Sequence, residues 1–444
     1  GSEMCIRDRA RTALADGWGG SMIATELQDI LFGTPSPIRG QVNLGVLSET
    51  EVNIIVHGHE PTLSEMLVLA SQDNEMISLA KSKGATGINL AGICCTANEI
   101  LLRHGLPIAG NVLQQELAVS TGAVEAMIVD VQCIMPSLSE ICKHYHTKLI
   151  TTSAKAKIEG VKHFEFSEKT ALQTAKEIVK EAILNFENRG KVDIPRDKMD
   201  LVAGFSHEAI IYMLGGKFRG SYVPLNDNII NGRIRGVAAV VGCSNPKVSL
   251  RDTHVKLVQE LIANDILVVQ TGCSAIACAK AGFLIPESAE KHAGKGLAEV
   301  CQAVGMPPVL HSGSCVDNSR ILIALSEMVR IGGLGKDISD LPVAGAAPEW
   351  MSEKAISIGH YFVASGVYTI FGIGLPVKGS EIFCRHIFKE FEDLFGGRWA
   401  TEHDTGKMAT LIIDLINQKR QKLGITKAKE RILFDMQMRR EQDT

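Results

Sequence analysis

Five cysteines and one histidine of this chain each fall just after a short apolar run bounded like a buried strand. His59 follows Asn53–Val56, Cys95 follows Ile88–Ile93, and Cys133 follows Ala126–Val131. Cys243 follows Val237–Val241, Cys273 follows Val268–Gln270, and Cys315 follows Val309–His311. In open parallel sheets, ligands bind beyond the carboxyl ends of the strands, so loops scattered in sequence can meet at one crevice. Cys95, Cys273 and Cys315 also precede predicted helices, whose N-terminal amides favour the thiolate that metals require. Five thiols and an imidazole are too many for one tetrahedral zinc. They suit an iron–sulfur cluster carrying an additional metal.

Other candidates are less specific. Lys354 lies early in a predicted helix beside this crevice, where a lysine of lowered pKa can hold or shuttle a proton. Asp16 has the chemistry of a proton relay, although a helix-surface role fits its surroundings better. His57 is as polar and as well placed as His59, so the residues alone leave that choice open. Cys142, Cys278, Cys301 and Cys384 lie inside predicted helices and read as core filler. Gly332-Gly333-Leu334-Gly335-Lys336 is followed by Asp, so it fails the phosphate-loop pattern, and no nucleotide site is assigned.

The elements that must position these residues alternate between apolar runs and amphipathic segments, the pattern of parallel α/β architecture. Strands are predicted at Val52–Val56, Gly87–Ile93, Ala126–Val131, Lys148–Thr152, Leu201–Gly204, Gly236–Val241, Ile266–Gln270, Pro308–His311, Leu341–Gly345 and Tyr368–Ile373. Thr96-Ala97-Asn98-Glu99 reads as a capping box, Pro61 and Pro348 suit first helical turns, and Gly84 and Gly105 suit helix ends. The expected fold is α/β, with two Rossmann-like parallel-sheet domains and the remnant of an N-terminal helical domain. Residues 1–9 look foreign, 10–37 form the remnant, 38–283 the first α/β domain, 284–425 the second, and 426–444 a charged tail. Phe186–Lys198 reads as an excursion or linker.

Composition excludes several classes. The 46 basic and 50 acidic residues form no basic stripe, which argues against nucleic acid. No apolar run approaches the roughly 20 residues that span a bilayer, and no signal peptide opens the sequence. A cytoplasmic location is expected. Eleven cysteines in so long a chain point to buried or metal-binding thiols rather than a disulfide scaffold.

At these residues the sequence resembles the anaerobic carbon monoxide dehydrogenases. The resemblance is carried by His57-Gly58-His59-Glu60-Pro61, Gly92-Ile93-Cys94-Cys95-Thr96, Asp130-Val131-Gln132-Cys133-Ile134, Val241-Gly242-Cys243-Ser244-Asn245 and Thr271-Gly272-Cys273. His311-Ser312-Gly313-Ser314-Cys315-Val316-Asp317-Asn318, Pro348-Glu349-Trp350-Met351-Ser352-Glu353-Lys354, Leu14-Ala15-Asp16-Gly17-Trp18 and Asp29-Ile30-Leu31-Phe32-Gly33 extend it from Ala10 to about Ile425. It implies one nickel–iron–sulfur cluster of the Ni-4Fe-4S type. His59 and Cys95 would hold the iron outside the cubane, Cys133, Cys243 and Cys273 the cubane irons, and Cys315 the nickel. Cys94 would be a neighbour. Lys354 would stabilise a carboxylate and handle protons, Ile358 would flank the gas-binding position, and Asp16 would relay protons. The reaction implied is CO + H2O ⇌ CO2 + 2 H+ + 2 e−, with a ferredoxin-like acceptor, a homodimer and, in some members, an acetyl-CoA synthase partner. Members also carry N-terminal cysteines for additional [4Fe–4S] clusters, and nothing before Cys94 except Cys5 offers such a ligand. The rival readings are a hybrid-cluster protein acting on hydroxylamine or peroxide, which would replace some cysteines by glutamate, and a metal-free fragment or scaffold.

Overall fold

Every strand predicted from the apolar runs is present in the computed structural model, which describes residues 2–248, 252–377 and 379–426. In chain order the strands are β1 (Ile38–Val42), β2 (Val52–His57), β3 (Ile88–Ile93), β4 (Ile108–Gly110), β5 (Val124–Val129), β6 (Lys148–Thr151) and β7 (Lys162–His163). They continue as β8 (Met199–Ala203), β9 (Gly236–Val240), β10 (Ile266–Gln270), β11 (Val309–His311), β12 (Val343–Ala347), β13 (Thr369–Phe371) and β14 (Trp399–Thr401). The helices that frame the site are α1 (Ser2–Thr12), α2 (Gly19–Phe32), α3 (Pro61–Ser71), α4 (Cys94–His104), α5 (Ala171–Asn185), α6 (Gly272–Lys280), α7 (Asn318–Ile331), α8 (Glu353–Ala364) and α9 (Thr405–Lys422).

The described strands form one 14-stranded sheet, ordered β14-β13-β12-β9-β10-β11-β8-β1-β4-β3-β2-β5-β6-β7. Two doubly wound halves are visible in that order. β4-β3-β2-β5-β6-β7 and β11-β10-β9-β12-β13-β14 each follow the 3-2-1-4-5-6 arrangement of the Rossmann fold. All pairings within the halves are parallel, and the seam is the antiparallel pair β1–β8, in register from Ile38↔Ala203 to Val42↔Met199. The central strands β2, β5, β9 and β12 are buried along their whole length, because helices cover both faces. α3 and α5 cover one face of the first half through Leu63, Leu67, Ile178, Val179 and Ile183.

Several expectations are corrected. The boundary placed between residues 283 and 284 falls between β10 and β11, which are hydrogen-bonded neighbours, whereas the seam lies at β1–β8. The expected capping box does not form. α4 starts three residues earlier, at Cys94, so Thr96 is already in its first turn and its hydroxyl donates to Asp130. Pro348 lies in the loop between β12 and α8 rather than in a helical turn. Residues 2–9, read as foreign, form the first turns of α1. There Ile6 is buried among Val363, Phe371 and Trp399, and the Arg9 guanidinium stands 2.6 Å from His386 Nδ1. Of the predicted charged tail, residues 427–444 lie outside the described residues. No helix among the described residues is long and apolar enough to cross a membrane.

Candidate metal centre

The six predicted ligands lie beyond the carboxyl ends of six parallel strands, β2, β3 and β5 of one half and β9, β10 and β11 of the other. The structure brings them to one place. Cys95 Sγ and Cys315 Sγ are 3.3 Å apart, and Cys133 Sγ is 3.9 Å from His59 Nε2. Cys133 interacts electrostatically with Cys273, Cys243 and Cys95, and Cys243 with Cys273 and Cys95. Among the described residues, no three His, Cys, Asp or Glu side chains close on a single point as they would around one ion. Five thiols and an imidazole exceed what one tetrahedral ion takes, and their chemistry fits a multinuclear group bound through soft sulfur and borderline nitrogen.

Local structure explains the placement. Cys95 and Cys273 sit in the first turns of α4 and α6, and Cys315 just ahead of α7. Cys94, Gln132 and Cys133 adopt φ values of 65°, 59° and 56°, a left-handed backbone that non-glycine residues rarely take and that concentrates at functional sites. Gly272, at φ +58°, lets its loop pass so close that an added Cβ would lie 3.0 Å from Cys315 Sγ. That loop is held by Gly272 N–H donating to the Gly313 carbonyl (2.9 Å) and Thr271 Oγ1 donating to Asn318 Oδ1 (3.0 Å).

The choice between the two histidines is legible in their hydrogen bonds. His57 is fully buried, and its Nε2–H donates to the Cys133 carbonyl at 3.0 Å. Burial, and then the neighbouring His59, push its pKa down to about 4, so it stays neutral. His59 donates from Nδ1 to the Val131 carbonyl at 2.9 Å, which fixes the tautomer and leaves the Nε2 lone pair facing the thiols. Burial lowers the His59 pKa, but the Cys95 thiolate outweighs it and the net shift is upward.

The thiols are not equivalent. The hydrogen bond from Cys315 holds Cys95 well below the ordinary thiol range, against the effect of burial. A hydrogen bond from Cys94 likewise lowers Cys273. Burial, and then the Cys273 charge, push Cys243 up to about 12. Cys142, Cys278 and Cys301 are raised by burial and none shows an interaction with another thiol, as expected of core residues.

Lys354, the second residue of α8, faces this group. Burial pulls its pKa down, but the charges of Cys95, Cys315, Cys133 and Cys243 outweigh it and the shift is upward. The lowered pKa expected from a crevice position is therefore corrected, because four thiols surround the ammonium. Ile358, one turn on, lines an apolar cavity of about 40 Å³ with Val241, Phe362 and Phe371, and Cys243, Cys315 and Lys354 form part of its wall. A larger apolar cavity of about 100 Å³, between Phe205, Tyr222 and Met328, contains none of the candidate ligands. Asp16 is exposed on a π-helical stretch (Ala13–Trp18), and the adjacent Gly17 packs on Ser357 and Tyr361 of α8. Asp16 thus stands on the solvent side of the helix that carries Lys354.

Three supporting residues were not recognised as such in the sequence. Buried Asp130 accepts hydrogen bonds from the backbone N–H of His59 (2.5 Å), Glu60 (3.1 Å) and Val131, and from Thr96 Oγ1 (3.2 Å). Buried Glu349 accepts from Asn245 N–H at 2.6 Å and from the Thr253 hydroxyl, tying the loop after β12 to the loop of Cys243. His311 donates from Nε2 to Asn98 Oδ1 (2.9 Å) and accepts Gly313 N–H on Nδ1 (3.2 Å), joining the two halves. Burial holds it neutral, with a pKa of about 4. The usable sequence signal for Asp130 was a carboxylate at the carboxyl end of the apolar run predicted at Ala126–Val131, where it must find several donors.

Comparison with known proteins bears on this geometry. The Prismane/CO dehydrogenase family profile matches residues 2–406. The chain belongs to the Prismane/CO dehydrogenase family. Carbon monoxide dehydrogenase 1 of Methanosarcina mazei is 58% identical over 417 residues, which are 94% of this chain and 65% of that protein. The carbon monoxide dehydrogenase/acetyl-CoA synthase subunit beta of Moorella thermoacetica is 42% identical over 430 residues, 94% of this chain and 63% of that one. The nickel-free crystal structure of carbon monoxide dehydrogenase from Thermococcus sp. AM4 superimposes with a TM-score of 0.89 at 52% identity, covering 94% of this chain and 65% of that one. The chain thus spans about 65% of the length of the first of these family relatives.

Proposed function

We propose that this chain carries the catalytic centre for the reversible oxidation of carbon monoxide by water to carbon dioxide, two protons and two electrons. His59, Cys95, Cys133, Cys243, Cys273 and Cys315 would hold a nickel–iron–sulfur cluster. The observation that carries this reading is the gathering, beyond the ends of six strands, of six soft or borderline donors beside a lysine and a largely apolar cavity. When bound, such a cluster supplies a binding place for carbon monoxide, an activated water and a sink for two electrons.

The protein's own contribution follows from the geometry. The apolar part of the cavity, walled by Val241, Ile358, Phe362 and Phe371, suits a small apolar molecule beside the Lys354 ammonium. The Lys354 ammonium is aimed at the place where a carboxylate charge would develop, and in this secluded setting a fixed donor acts more strongly than in water. Asp16, on the outer side of α8, suits the solvent end of a proton route. Electrons would leave to a ferredoxin-like acceptor, the chain would act in the cytoplasm, and a homodimer and an acetyl-CoA synthase subunit are the protein partners.

The test is nickel and iron analysis of the purified chain, together with carbon monoxide-dependent dye reduction. Both metals and dye reduction are expected. Hydroxylamine reduction without carbon monoxide oxidation would favour a hybrid-cluster enzyme, and absence of both metals and both activities would favour a scaffold. A second outcome concerns Gly272. Gly272→Ala forces a Cβ against Cys315 Sγ at a left-handed position that itself costs about 1–2 kcal/mol. The variant is expected to keep the circular dichroism of the wild type and to retain less than about a tenth of its metal, a loss corresponding to the 1.4 kcal/mol per decade of binding. Full metal content in Gly272→Ala would contradict this close approach.

A further inference from the structure

Cys95 and Cys315 come from different halves of the sheet, and β4, β1 and β8 stand between β3 and β11. No backbone pairing between β3 and β11 therefore sets the 3.3 Å gap between their sulfurs. Side chains from a third element, α2, span it. Asp29, in the last turn of α2, accepts from Arg103 Nη2 (2.9 Å) and from both terminal nitrogens of Arg320 (2.8 and 2.7 Å). Arg103 Nη1 then donates to Glu99 Oε2 at 2.6 Å, one turn beyond Cys95 on α4. Arg320 Nε donates to Asp317 Oδ1 at 3.1 Å, and Asp317 Oδ2 accepts the Ser314 N–H at 2.8 Å, next to Cys315. Thr25, one turn before Asp29, donates to the same Asp317 carboxylate at 3.1 Å.

Nothing about α2 alone favours this arrangement. A carboxylate in a last helical turn opposes the helix dipole. Asp29, Arg103 and Arg320 are also buried, with side chains 7%, 3% and 4% exposed. Buried ion pairs seldom add net stability, and their best attested use is to fix one geometry among several. Here the geometry fixed is the approach of the two thiol-bearing segments.

We infer that Asp29 is a positioning residue for the Cys95–Cys315 pair, and that it governs nickel uptake beside iron. This rests on the cluster reading above, in which Cys95 holds the outer iron and Cys315 the nickel. Asp29→Asn keeps the shape of the side chain, loses its charge, and turns an amide N–H₂ toward the guanidinium donors.

The experiment compares the 444-residue chain and its Asp29→Asn variant, produced with nickel and iron, by metal analysis and nickel K-edge X-ray absorption. Iron close to the wild-type level with nickel lowered at least about fivefold, or a changed nickel–sulfur shell, supports the inference. Equal nickel with an unchanged spectrum overturns it. Parallel loss of both metals also overturns it, since that marks a general structural role. Should Asp29→Asn fail to fold, Thr25→Ala removes the hydrogen bonds to Asp317 and Ser319 and leaves every ion pair of Asp29 in place. A selective nickel deficit in that variant supports the tie, and unchanged nickel overturns it. A wild-type chain that holds neither metal would sink the cluster reading instead. The tie is then read in the metal-free proteins from dibromobimane bridging of Cys95 and Cys315, mapped by mass spectrometry. Slower bridging in Asp29→Asn supports it, and an equal rate overturns it.

Discussion

Replacing Lys354 by alanine is expected to lower the rate of carbon monoxide oxidation by about 10²–10³-fold, the loss typical of removing one donor aimed at a developing charge. Burial pulls the Lys354 pKa down, but the neighbouring thiols, Cys95 first, outweigh it and the shift is upward from the ordinary lysine value, so the ammonium is positive throughout the neutral range. Its effect should therefore fall on kcat, while the KM for carbon monoxide changes little, because the uncharged substrate offers a cation almost nothing to bind. Nickel and iron contents should match the wild type, since Lys354 is not among the thiol and imidazole donors. Arginine should rescue poorly, because its planar fork is longer and wider than an ammonium. Steady-state assays at several carbon monoxide concentrations, with metal analysis of the same preparations, decide the matter. A Lys354→Ala enzyme within tenfold of the wild type would mean that the lysine only offsets the thiolate charge.

The second large effect concerns Asp130, which touches none of the reactants. Its carboxylate gathers the N–H groups of His59, Glu60 and Val131 with the Thr96 hydroxyl, and so binds together the loops after β2, β3 and β5. Burial raises its pKa, and the three backbone N–H groups offset only part of that. Asp130→Ala leaves those buried donors without an acceptor, and each costs about 1–3 kcal/mol when stranded. A loss of about 3 kcal/mol or more is expected in denaturant unfolding, together with loss of iron, because His59, Cys95 and Cys133 are no longer held in common. Asp130→Asn should fall between, since an amide accepts through only one of its two terminal atoms. An unfolding midpoint equal to that of the wild type would overturn this role.

Asp130 also shows where reading the sequence stops. The sequence placed it inside the predicted strand Ala126–Val131, whereas β5 ends at Val129, and the segments it joins are separated by dozens of residues that only the order of strands makes neighbours. The same holds for Asp29 and Glu349, whose partners come from other segments. The choice of His59 over His57 was open from the residues themselves. It turns on which ring nitrogen is occupied by a carbonyl, and that depends on the path of the Val131–Cys133 loop. The capping box failed for a related reason. Thr96 found a stronger partner in Asp130, and the helix began earlier, at the left-handed Cys94. Strands β1, β4, β7 and β14 escaped notice because they are short or carry polar residues, as in Ile38-Arg39-Gly40-Gln41-Val42, and pair only because neighbours are in place.

The sequence by itself determined the α/β class and ten of the strands, and it pointed to six candidate donors at the strand ends. Central strands of a parallel sheet are buried on both faces and must be written as continuous apolar runs, so a polar or sulfur residue just past such a run stands out. The tertiary structure alone decided that two halves of the same strand order meet across an antiparallel seam, that Lys354 is charged, and that Asp29 and Asp130 hold the loops. Those outcomes depend on pairings between distant residues, whose energies appear only once burial has removed water from between them.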